Sequence, residues 1–349
     1  PQDALRRAAN AVKASGLLDW GWKESTMSST NDLAVAQEAA DLQRLETEPA
    51  RRPDRDDPVA KAVRRRNLRH GLLFIAPNFI GFAILVLAPV LTLFYTGFTS
   101  WSALGTPTFN GLSNWRRMVA DESFRAALWN TVYYAAVHIP LTLVIAFALA
   151  VVLNTKLRGR AFFRTVAFFP YITAIIAVAQ VWSMMFNPTS GIINQFLSLF
   201  VDNPPGWLSS TSWAMPAVII VGTWREVGYF MILLLAGLQT IPAELYEAAK
   251  VDGASTWQQF WKITVPCMRP TLFFVVVTLT ITSFKILDLT LVMTGGGPGT
   301  STLVLAQYIY RVAFERADFG YASTISLVLF VICMAVTLLQ FWINHIKER

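Results

Sequence analysis

Four charged residues interrupt long apolar stretches of this 349-residue sequence. Arg225 and Glu226 are adjacent, whereas Lys285 and Asp288 are three residues apart. An isolated charge in lipid is costly, so each of these side chains should face a partner or a water-filled path. The chemistry that they favour is therefore the binding of a polar solute, or ion pairing between helices.

Two interpretations of these charges remain open. In the first, they lock helices together or lie near the outer membrane interface, and Lys285 and Asp288 pair on one helix face. In the second, they line a translocation pathway. Tyr229 lies three residues after Glu226 and shares its face. An aromatic ring beside polar groups suits a sugar, which offers hydroxyls and an apolar ring face.

The sequence contains no nucleotide-binding motif, metal cluster or catalytic triad. The glycine-rich segment 295–299 lacks the Gly-Lys-Ser/Thr ending of a phosphate-binding loop, so we predict a turn into an outer loop. Cys267 and Cys333 have no metal-binding spacing, and we expect no disulfide. We therefore predict that the chain is not an enzyme and binds no cofactor or metal of its own.

Composition predicts a membrane protein. Hydrophobic residues make up 54% of the chain and charged residues only 15%, and the mean hydropathy is +0.45. Soluble domains carry about 25% charged residues. The pI near 9.5 would suit nucleic acid, but the basic residues are sorted between loops as in membrane proteins, so no nucleic-acid partner is expected.

Six apolar stretches are long enough to cross a bilayer, which takes about 20 residues. They cover residues 71–95, 126–153, 165–186, 213–239, 270–293 and 321–343. If the chain crosses the membrane at each stretch, 22 of the 29 Lys and Arg residues lie on the side of the N-terminus and five lie on the opposite side. The other two, Arg225 and Lys285, lie within the stretches. We predict an all-α membrane protein with six transmembrane helices and with both termini in the cytoplasm.

The cytoplasmic loop between the fourth and fifth spans has the pattern of two ordered helices. Pro242 suits the first turn of a helix, and Gly253 can adopt the left-handed conformation that ends it. Ser255 and Gln258 are spaced as a capping box for a second short helix, which Pro266 should end. A loop that only connects two spans needs no such order, so we predict a docking element for another protein.

This loop contains a motif whose residues have a fixed spacing. In this spacing the loop resembles the signature loop of the membrane subunits of ABC importers. Glu-Ala-Ala at 247–249 is followed by Gly253 and, nine residues later, by Ile-Thr-Val-Pro at 263–266, where Leu is usual in place of Val265. The flanking segments 224–242 and 293–298 resemble maltose-type sugar permeases. The resemblance extends from about Leu72 to the C-terminus.

This resemblance implies a sugar permease subunit in a bacterial cytoplasmic membrane, embedded in the lipid bilayer. Its expected partners are a second homologous permease subunit, two ATPase subunits that carry ATP and Mg, and an extracytoplasmic solute-binding protein. The residues that it assigns to ATPase coupling are Glu247, Ala248, Ala249, Asp252, Gly253, Ile263 and Pro266. The residues expected along the substrate pathway are Arg225, Glu226, Tyr229, Ser283, Lys285 and Asp288. Arg225 and Glu226 stand where the maltose carrier has smaller uncharged residues, so its sugar specificity is not expected here.

Alternative functions remain open at this point. A permease of the same fold for glycerol phosphate or a polyol could use Arg225 or Lys285 to meet a phosphate. An ion-coupled secondary transporter could use Glu226 or Asp288 as its coupling carboxylate, although such a carrier needs no helical docking loop. A membrane enzyme has no catalytic constellation on which to rest.

The domain organisation follows from the spans. Residues 1–70 are expected to form a polar, partly disordered cytoplasmic tail. Within it, 1–26 are expected to derive from an upstream start assignment or an added sequence, since Met27-Ser28-Ser29-Thr30 looks like an ordinary protein start. The transmembrane domain should cover 71–345, and 346–349 should form a short cytoplasmic tail.

Overall fold

A computed structural model describes residues 58–102, 105–155 and 158–347 of the chain. It divides into two compact units between Ala83 and Ile84. The first unit contains helix α1, whose apolar side chains, such as Leu72 and Phe74, are exposed. The elements from α2 onward belong to the second unit.

Helices dominate the described chain. The α-helices are α1 (Pro58–Phe82), α2 (Ala88–Thr96), α3 (Ser113–Ala120), α4 (Glu122–Leu153), α5 (Arg160–Ile172), α6 (Ile175–Met185), α7 (Ile192–Leu197), α8 (Ala214–Gln239), α9 (Ala243–Val251), α10 (Thr256–Gln259), α11 (Val265–Cys267), α12 (Arg269–Phe284), α13 (Asp288–Met293), α14 (Leu305–Tyr310) and α15 (Phe319–Lys347). Short π-helical segments cover Ala83–Leu87, Phe260–Thr264 and Arg311–Glu315.

Five segments of the described chain are long and apolar enough to cross a membrane. They are Arg65–Thr96, Glu122–Leu153, Ala214–Gln239, Arg269–Met293 and Phe319–Ile346. A sixth span results if α5 and α6 are counted together. The prediction of a mostly helical chain with five or six candidate membrane spans is therefore confirmed.

The third predicted span, 165–186, is not one continuous helix but a bent pair of helices. Helices α5 and α6 bend by 97° where they meet. Pro170 lies in the last turn of α5, and Thr173 after it has extended backbone angles and donates its hydroxyl to the Pro170 carbonyl oxygen at 2.7 Å. A proline inside a helix removes a backbone hydrogen bond and favours such a break.

The first helix begins earlier than predicted. Helix α1 starts at Pro58 rather than at Gly71, so residues 58–70 of the predicted polar tail are helical. Proline suits a first helical position, because the N–H that it lacks would have no partner inside the helix. The remaining tail predictions, including those for 1–26 and for 348–349, lie outside the described residues.

The fifth predicted span is interrupted. Helix α12 ends at Phe284 and α13 begins at Asp288. Lys285 caps the C-terminus of α12, with its N–H donating to the Thr282 carbonyl oxygen at 3.2 Å. The idea that Lys285 and Asp288 pair on one helix face is therefore wrong, because Lys285 lies just past the end of α12 and Asp288 begins α13.

A short strand pair also departs from the all-α prediction. Strand β1 (Thr99–Ser100) pairs antiparallel with β2 (Thr108–Phe109), and Thr99 lies opposite Phe109. Asn114 secures this loop, because its side-chain amide donates to the Thr99 carbonyl oxygen at 2.9 Å.

Helix α8 is the most enclosed of the candidate spans. Its buried residues, such as Phe230 and Leu234, share one apolar cluster with Ala146 of α4 and with Leu279 of α12. A Cβ at Gly228 would collide with the Ala167 carbonyl oxygen. Glycine at this position therefore lets the backbones of α8 and α5 approach closely, as small residues do in membrane helix packing.

Candidate coupling hairpin and polar cluster

The segment 243–267, here called the hairpin, begins with α9. Pro242 is the N-cap of α9, one residue before the first turn in which it was predicted. At the other end Gly253 has φ +75°. The Ala254 N–H donates to the Ala249 carbonyl oxygen at 2.8 Å, and the Gly253 N–H to that of Lys250 at 3.1 Å. These two bonds define a Schellman motif, so the predicted left-handed helix end is confirmed.

The second arm of the hairpin begins with the predicted capping box. The Ser255 N–H donates to Gln258 Oε1 at 2.8 Å, and the Gln258 N–H donates to Ser255 Oγ at 3.3 Å. The prediction that Pro266 ends this arm is wrong. The chain continues through a π-helical segment into α11, where Pro266 takes an early position that tolerates a missing N–H.

The two arms contact each other and leave most motif residues accessible. The Tyr246 hydroxyl lies 2.9 Å from Thr264 Oγ1, which ties the first arm to the second. Glu247, Ala248, Asp252 and Gly253 are exposed, whereas Ala249, Ile263 and Pro266 are half-buried. Apolar side chains are exposed as well: Val251 is 89% exposed and Trp257 is 70% exposed.

A buried polar cluster joins three helices. His138 of α4 is 1% exposed, and its Nδ1 lies 3.0 Å from the hydroxyl oxygen of Ser283 in α12. His138 Nε2 lies 3.9 Å from a carboxylate oxygen of Glu226 in α8. Neither His138 Nε2 nor this carboxylate oxygen of Glu226 has a hydrogen-bond partner in the described chain. The Tyr134 ring stacks on the imidazole, with ring centroids 4.8 Å apart.

The order Ser–His–Glu is that of a hydrolytic triad, but this cluster is not built for hydrolysis. The Ser283 side chain is 1% exposed. The 3.9 Å gap between His138 and Glu226 is too long for the hydrogen bond that would orient the imidazole. The arrangement instead brings a hydroxyl, an imidazole and a carboxylate from three helices together.

Two tyrosines and an arginine form a second cluster beside this one, where α8 meets α5. The rings of Tyr229 and Tyr171 are stacked, with centroids 4.4 Å apart and planes at 11°. Arg225 places its guanidinium carbon 5.2 Å from the centroid of the Tyr171 ring and donates from Nη2 to the Tyr171 carbonyl oxygen at 3.4 Å. Its Nε is buried without a hydrogen-bond partner in the described chain.

Comparison with known proteins assigns this architecture to a family. Residues 139–346 match the family model described as binding-protein-dependent transport system inner membrane component. The chain belongs to this family. It is therefore a multi-pass membrane subunit of a transport system, and family membership decides against the ion-coupled secondary transporter and the membrane enzyme.

Several relatives cover most of the chain. The probable ABC transporter permease protein YurN of Bacillus subtilis is 37% identical over 77% of this chain and 93% of its own length. The lactose transport system permease protein LacF of Rhizobium radiobacter is 36% identical over 78% of this chain and 93% of its own length. The trehalose/maltose transport system permease protein MalF of Thermococcus litoralis is 29% identical over 84% of this chain and 99% of its own length.

A solved structure has the same fold. One chain of a bacterial ABC transporter involved in the import of the acidic polysaccharide alginate superposes with a TM-score of 0.69. It is 24% identical in sequence, and the match covers 83% of this chain and 99% of that chain. The membrane-subunit fold of this family is therefore shared.

The structure brings together four of the six predicted pathway residues. Glu226 and Ser283 meet at His138, and Arg225 and Tyr229 meet at Tyr171. Lys285 and Asp288 do not join them. Lys285 instead lines a separate cavity against α15, and Asp288 is exposed at the start of α13.

Three residues of the candidate site, His138, Tyr134 and Tyr171, were not predicted from the sequence. His138 looks like a packed helix histidine, and Tyr134 precedes it by four residues, the spacing of one helix face. That spacing was the available signal. Tyr171 had none, because its position depends on the bend between α5 and α6.

A second polar cluster fixes the segment just before α4. Asp121 Oδ1 accepts from the backbone N–H groups of Ser123 at 2.8 Å and Phe124 at 3.3 Å. Its Oδ2 accepts from the hydroxyls of Tyr321, at 2.6 Å, and Tyr308. Burial alone would raise the pKa of Asp121, but these hydrogen bonds outweigh it and hold the pKa below the ordinary value of 3.8.

Proposed function

We propose that this chain is the membrane-spanning permease subunit of an ABC importer and forms the pathway for a sugar that an extracytoplasmic binding protein delivers. The proposal draws the solute class from relatives whose names refer to lactose and to trehalose/maltose. The structural observation that carries it is the polar cluster of His138, Glu226 and Ser283 beside the stacked rings of Tyr171 and Tyr229.

The solute would be bound by exchange of internal contacts. In the described conformation His138 and Ser283 satisfy each other, and Glu226 lies just beyond hydrogen-bond range of the imidazole. Separation of α4, α8 and α12 would free these three groups together. A sugar hydroxyl can both donate and accept, so it suits a site that holds a carboxylate, an imidazole and a hydroxyl. Tyr229 would offer its ring to the apolar face of the sugar.

Coupling to ATP would pass through the hairpin. We place it, with both termini, on the cytoplasmic side, as the distribution of Lys and Arg favours. There the exposed Glu247, Ala248, Asp252 and Gly253 and the 89% exposed Val251 would form the contact with an ATPase subunit. Exposed apolar side chains flanked by polar ones are typical of protein interfaces.

The complete importer would contain a second homologous permease, two ATPase subunits and the binding protein. ATP and Mg would belong to the ATPase subunits, and this chain would hold no cofactor. Closure of the ATPase subunits would pull on the hairpin and turn the pathway outward. This is alternating access between two states, which ATP and the loaded binding protein bias by binding one state better than the other.

A specific observation favours a second candidate, an anionic solute such as a glycerol phosphate or an acidic sugar. Arg225 Nε is buried without a hydrogen-bond partner in the described chain, beside the candidate site. A guanidinium in that state suits a phosphate, sulfonate or carboxylate, which it can bind through two parallel hydrogen bonds. One relative with 33% identity is named a sulfoquinovosyl glycerol transport system permease.

The test is uptake by membrane vesicles that contain this chain with the permease, ATPase and binding protein encoded beside it. Neutral disaccharides and anionic glycosides are compared as radiolabelled solutes. We expect ATP-dependent uptake of a neutral sugar that Glu226→Gln impairs. Uptake restricted to anionic solutes and abolished by Arg225→Gln would favour the second candidate. Uptake of neither class by an assembled complex would contradict the sugar proposal.

A further inference from the structure

A groove on the side of α12 opposite to the polar cluster contains a single cation. Its cavity measures about 480 Å³ and is lined by ten residues of the second unit. Nine of them are apolar or uncharged, and the tenth is Lys285. They are Ile281, Lys285, Ile309, Ser326, Leu329, Phe330, Cys333, Met334, Thr337 and Leu338.

The groove lies at the middle of two candidate spans. Cys333 and its neighbours occupy the centre of the span Phe319–Ile346, and Lys285 lies four residues past the centre of Arg269–Met293. Eight residues separate Lys285 from the end of that span. A lysine this far inside cannot reach the headgroups as easily as one in the last turn of a helix.

Lys285 lacks a compensating anion in the described chain. Its ammonium has neither a hydrogen bond nor an ion pair there, and the side chain is exposed. Its position at the C-terminus of α12 brings it near the negative end of the helix dipole, which compensates the charge in part. An intramembrane lysine ordinarily pairs with a carboxylate or faces water.

We propose that this groove is the docking surface for the second permease subunit and that Lys285 pairs there with a carboxylate that the partner presents at mid-membrane depth. The inference rests on the proposed function, because the second permease is its occupant. Charge complementarity decides for this occupant. A lipid tail would fill the apolar groove but leave the ammonium unpaired, and lipid phosphates lie at the bilayer surface.

The solute pathway is a poorer occupant than a protein. Ser283 and the polar cluster of His138 and Glu226 do not line the groove that contains Lys285. A mostly apolar groove instead suits a packed helix interface, provided that the partner pairs its one charge. Paired charges inside a membrane also select the correct partner, since an unpaired charge on either side is costly.

The first experiment measures assembly. The importer is purified from membranes through a tag on the second permease, with Lys285→Asp, Lys285→Arg or Lys285→Met in this chain. We expect Lys285→Asp to lower recovery of this chain by more than about tenfold, because two carboxylates would then face each other. Lys285→Arg should assemble normally. Arg116→Asp, a charge reversal at an exposed residue outside the candidate spans, is the matched control.

If changing an acidic residue to lysine in a span of the second permease restored assembly of the Lys285→Asp variant, the pairing would be supported directly. Normal assembly of Lys285→Asp would overturn it. So would normal assembly of Lys285→Met with loss of uptake, which would assign the residue to the solute. In each case ATP-dependent sugar uptake by the unmodified complex would still stand, so failure of this inference is distinct from failure of the proposed function.

The second experiment uses a native probe of the groove. Cys267 and Cys333 are the only cysteines in the sequence, and Cys267 is exposed on the hairpin. In a Cys267→Ser variant, a lipid-soluble maleimide should label Cys333 at least about tenfold more slowly in the assembled importer than after detergent dissociates it. Equal rates in the two samples would mean that lipid occupies the groove and would overturn the proposal.

Discussion

His138 Nδ1 and the Ser283 hydroxyl lie 3.0 Å apart, although 145 residues separate them in the chain. This contact joins the middle of α4 to the last turn of α12. The other imidazole nitrogen faces Glu226 on α8, so one side chain touches the polar groups of two further helices. His138 therefore links three helices of the candidate pathway through one side chain.

We expect replacement of His138 to affect both stability and uptake. His138→Leu removes the partner of Ser283 and leaves that hydroxyl buried and unsatisfied, which costs about 1–3 kcal/mol. The purified importer should therefore unfold at a lower temperature and lose most uptake. His138→Gln, which keeps one donor and one acceptor, should lose less of both. Equal behaviour of the two variants would contradict a role for the hydrogen bond.

Tyr229 provides a test of the aromatic surface. Tyr229→Phe keeps the stack with Tyr171, whereas Tyr229→Ala removes an interaction worth about 0.5–1.5 kcal/mol together with the ring that a sugar could contact. We expect Tyr229→Ala to lower uptake at least about tenfold with normal assembly, and Tyr229→Phe to retain it.

Accessibility provides the control for Tyr229. A single cysteine at 226 or 229 should react with a small water-soluble thiol reagent, and the sugar with its binding protein should change the rate. If both positions stayed inert while lipid-soluble reagents labelled them, α8 would face the bilayer there and the solute site would be wrongly assigned.

The hairpin was predictable from sequence because local interactions determine it. Gly253 and the Ser255–Gln258 pair act within a few residues, so their types alone indicate where one arm ends and the next begins. The polar cluster was predictable only in part. Charges in apolar stretches identified Glu226 and Arg225, but their partners His138 and Tyr171 come from distant helices and from a 97° bend. Such contacts depend on tertiary packing, which residue spacing does not record.

Gly253 should tolerate residues according to their backbone preference. Its φ of +75° is costly for most side chains, by about 1–2 kcal/mol, whereas asparagine adopts it more readily. A Cβ there would meet no atom of the described chain within 4 Å, so backbone strain is the only penalty that the described residues impose. Gly253→Asn should retain more ATPase co-purification and uptake than Gly253→Val.

Gly253→Asp separates strain from docking. Aspartate tolerates this conformation nearly as well as asparagine but adds a charge at the exposed bend. Loss of ATPase co-purification with Gly253→Asp alone would mean that the bend contacts the ATPase. Normal assembly and transport with Gly253→Asp and Gly253→Val would contradict the docking role.

Asp121 predicts a pH dependence of stability. Its hydrogen bonds hold its pKa in the folded protein below the ordinary value of 3.8, against the opposing effect of burial. A group with a lowered folded pKa stabilises the fold above its unfolded pKa, and the stabilisation is lost as the pH falls through the folded pKa. The contribution of Asp121 should therefore be complete at pH 7 and disappear progressively below about pH 4.

Two variants separate the charge of Asp121 from its capping role. Asp121→Ala removes the N-cap of α4, which should cost about 1 kcal/mol at pH 7, and also leaves the hydroxyls of Tyr308 and Tyr321 without this acceptor. Asp121→Asn keeps an acceptor for the cap but loses the charge that Tyr308 and Tyr321 contact. The difference in unfolding temperature between the unmodified importer and Asp121→Asn should shrink between pH 5 and pH 3. If this difference in unfolding temperature stayed constant from pH 5 to pH 3, the four hydrogen bonds would not stabilise the charged form of Asp121.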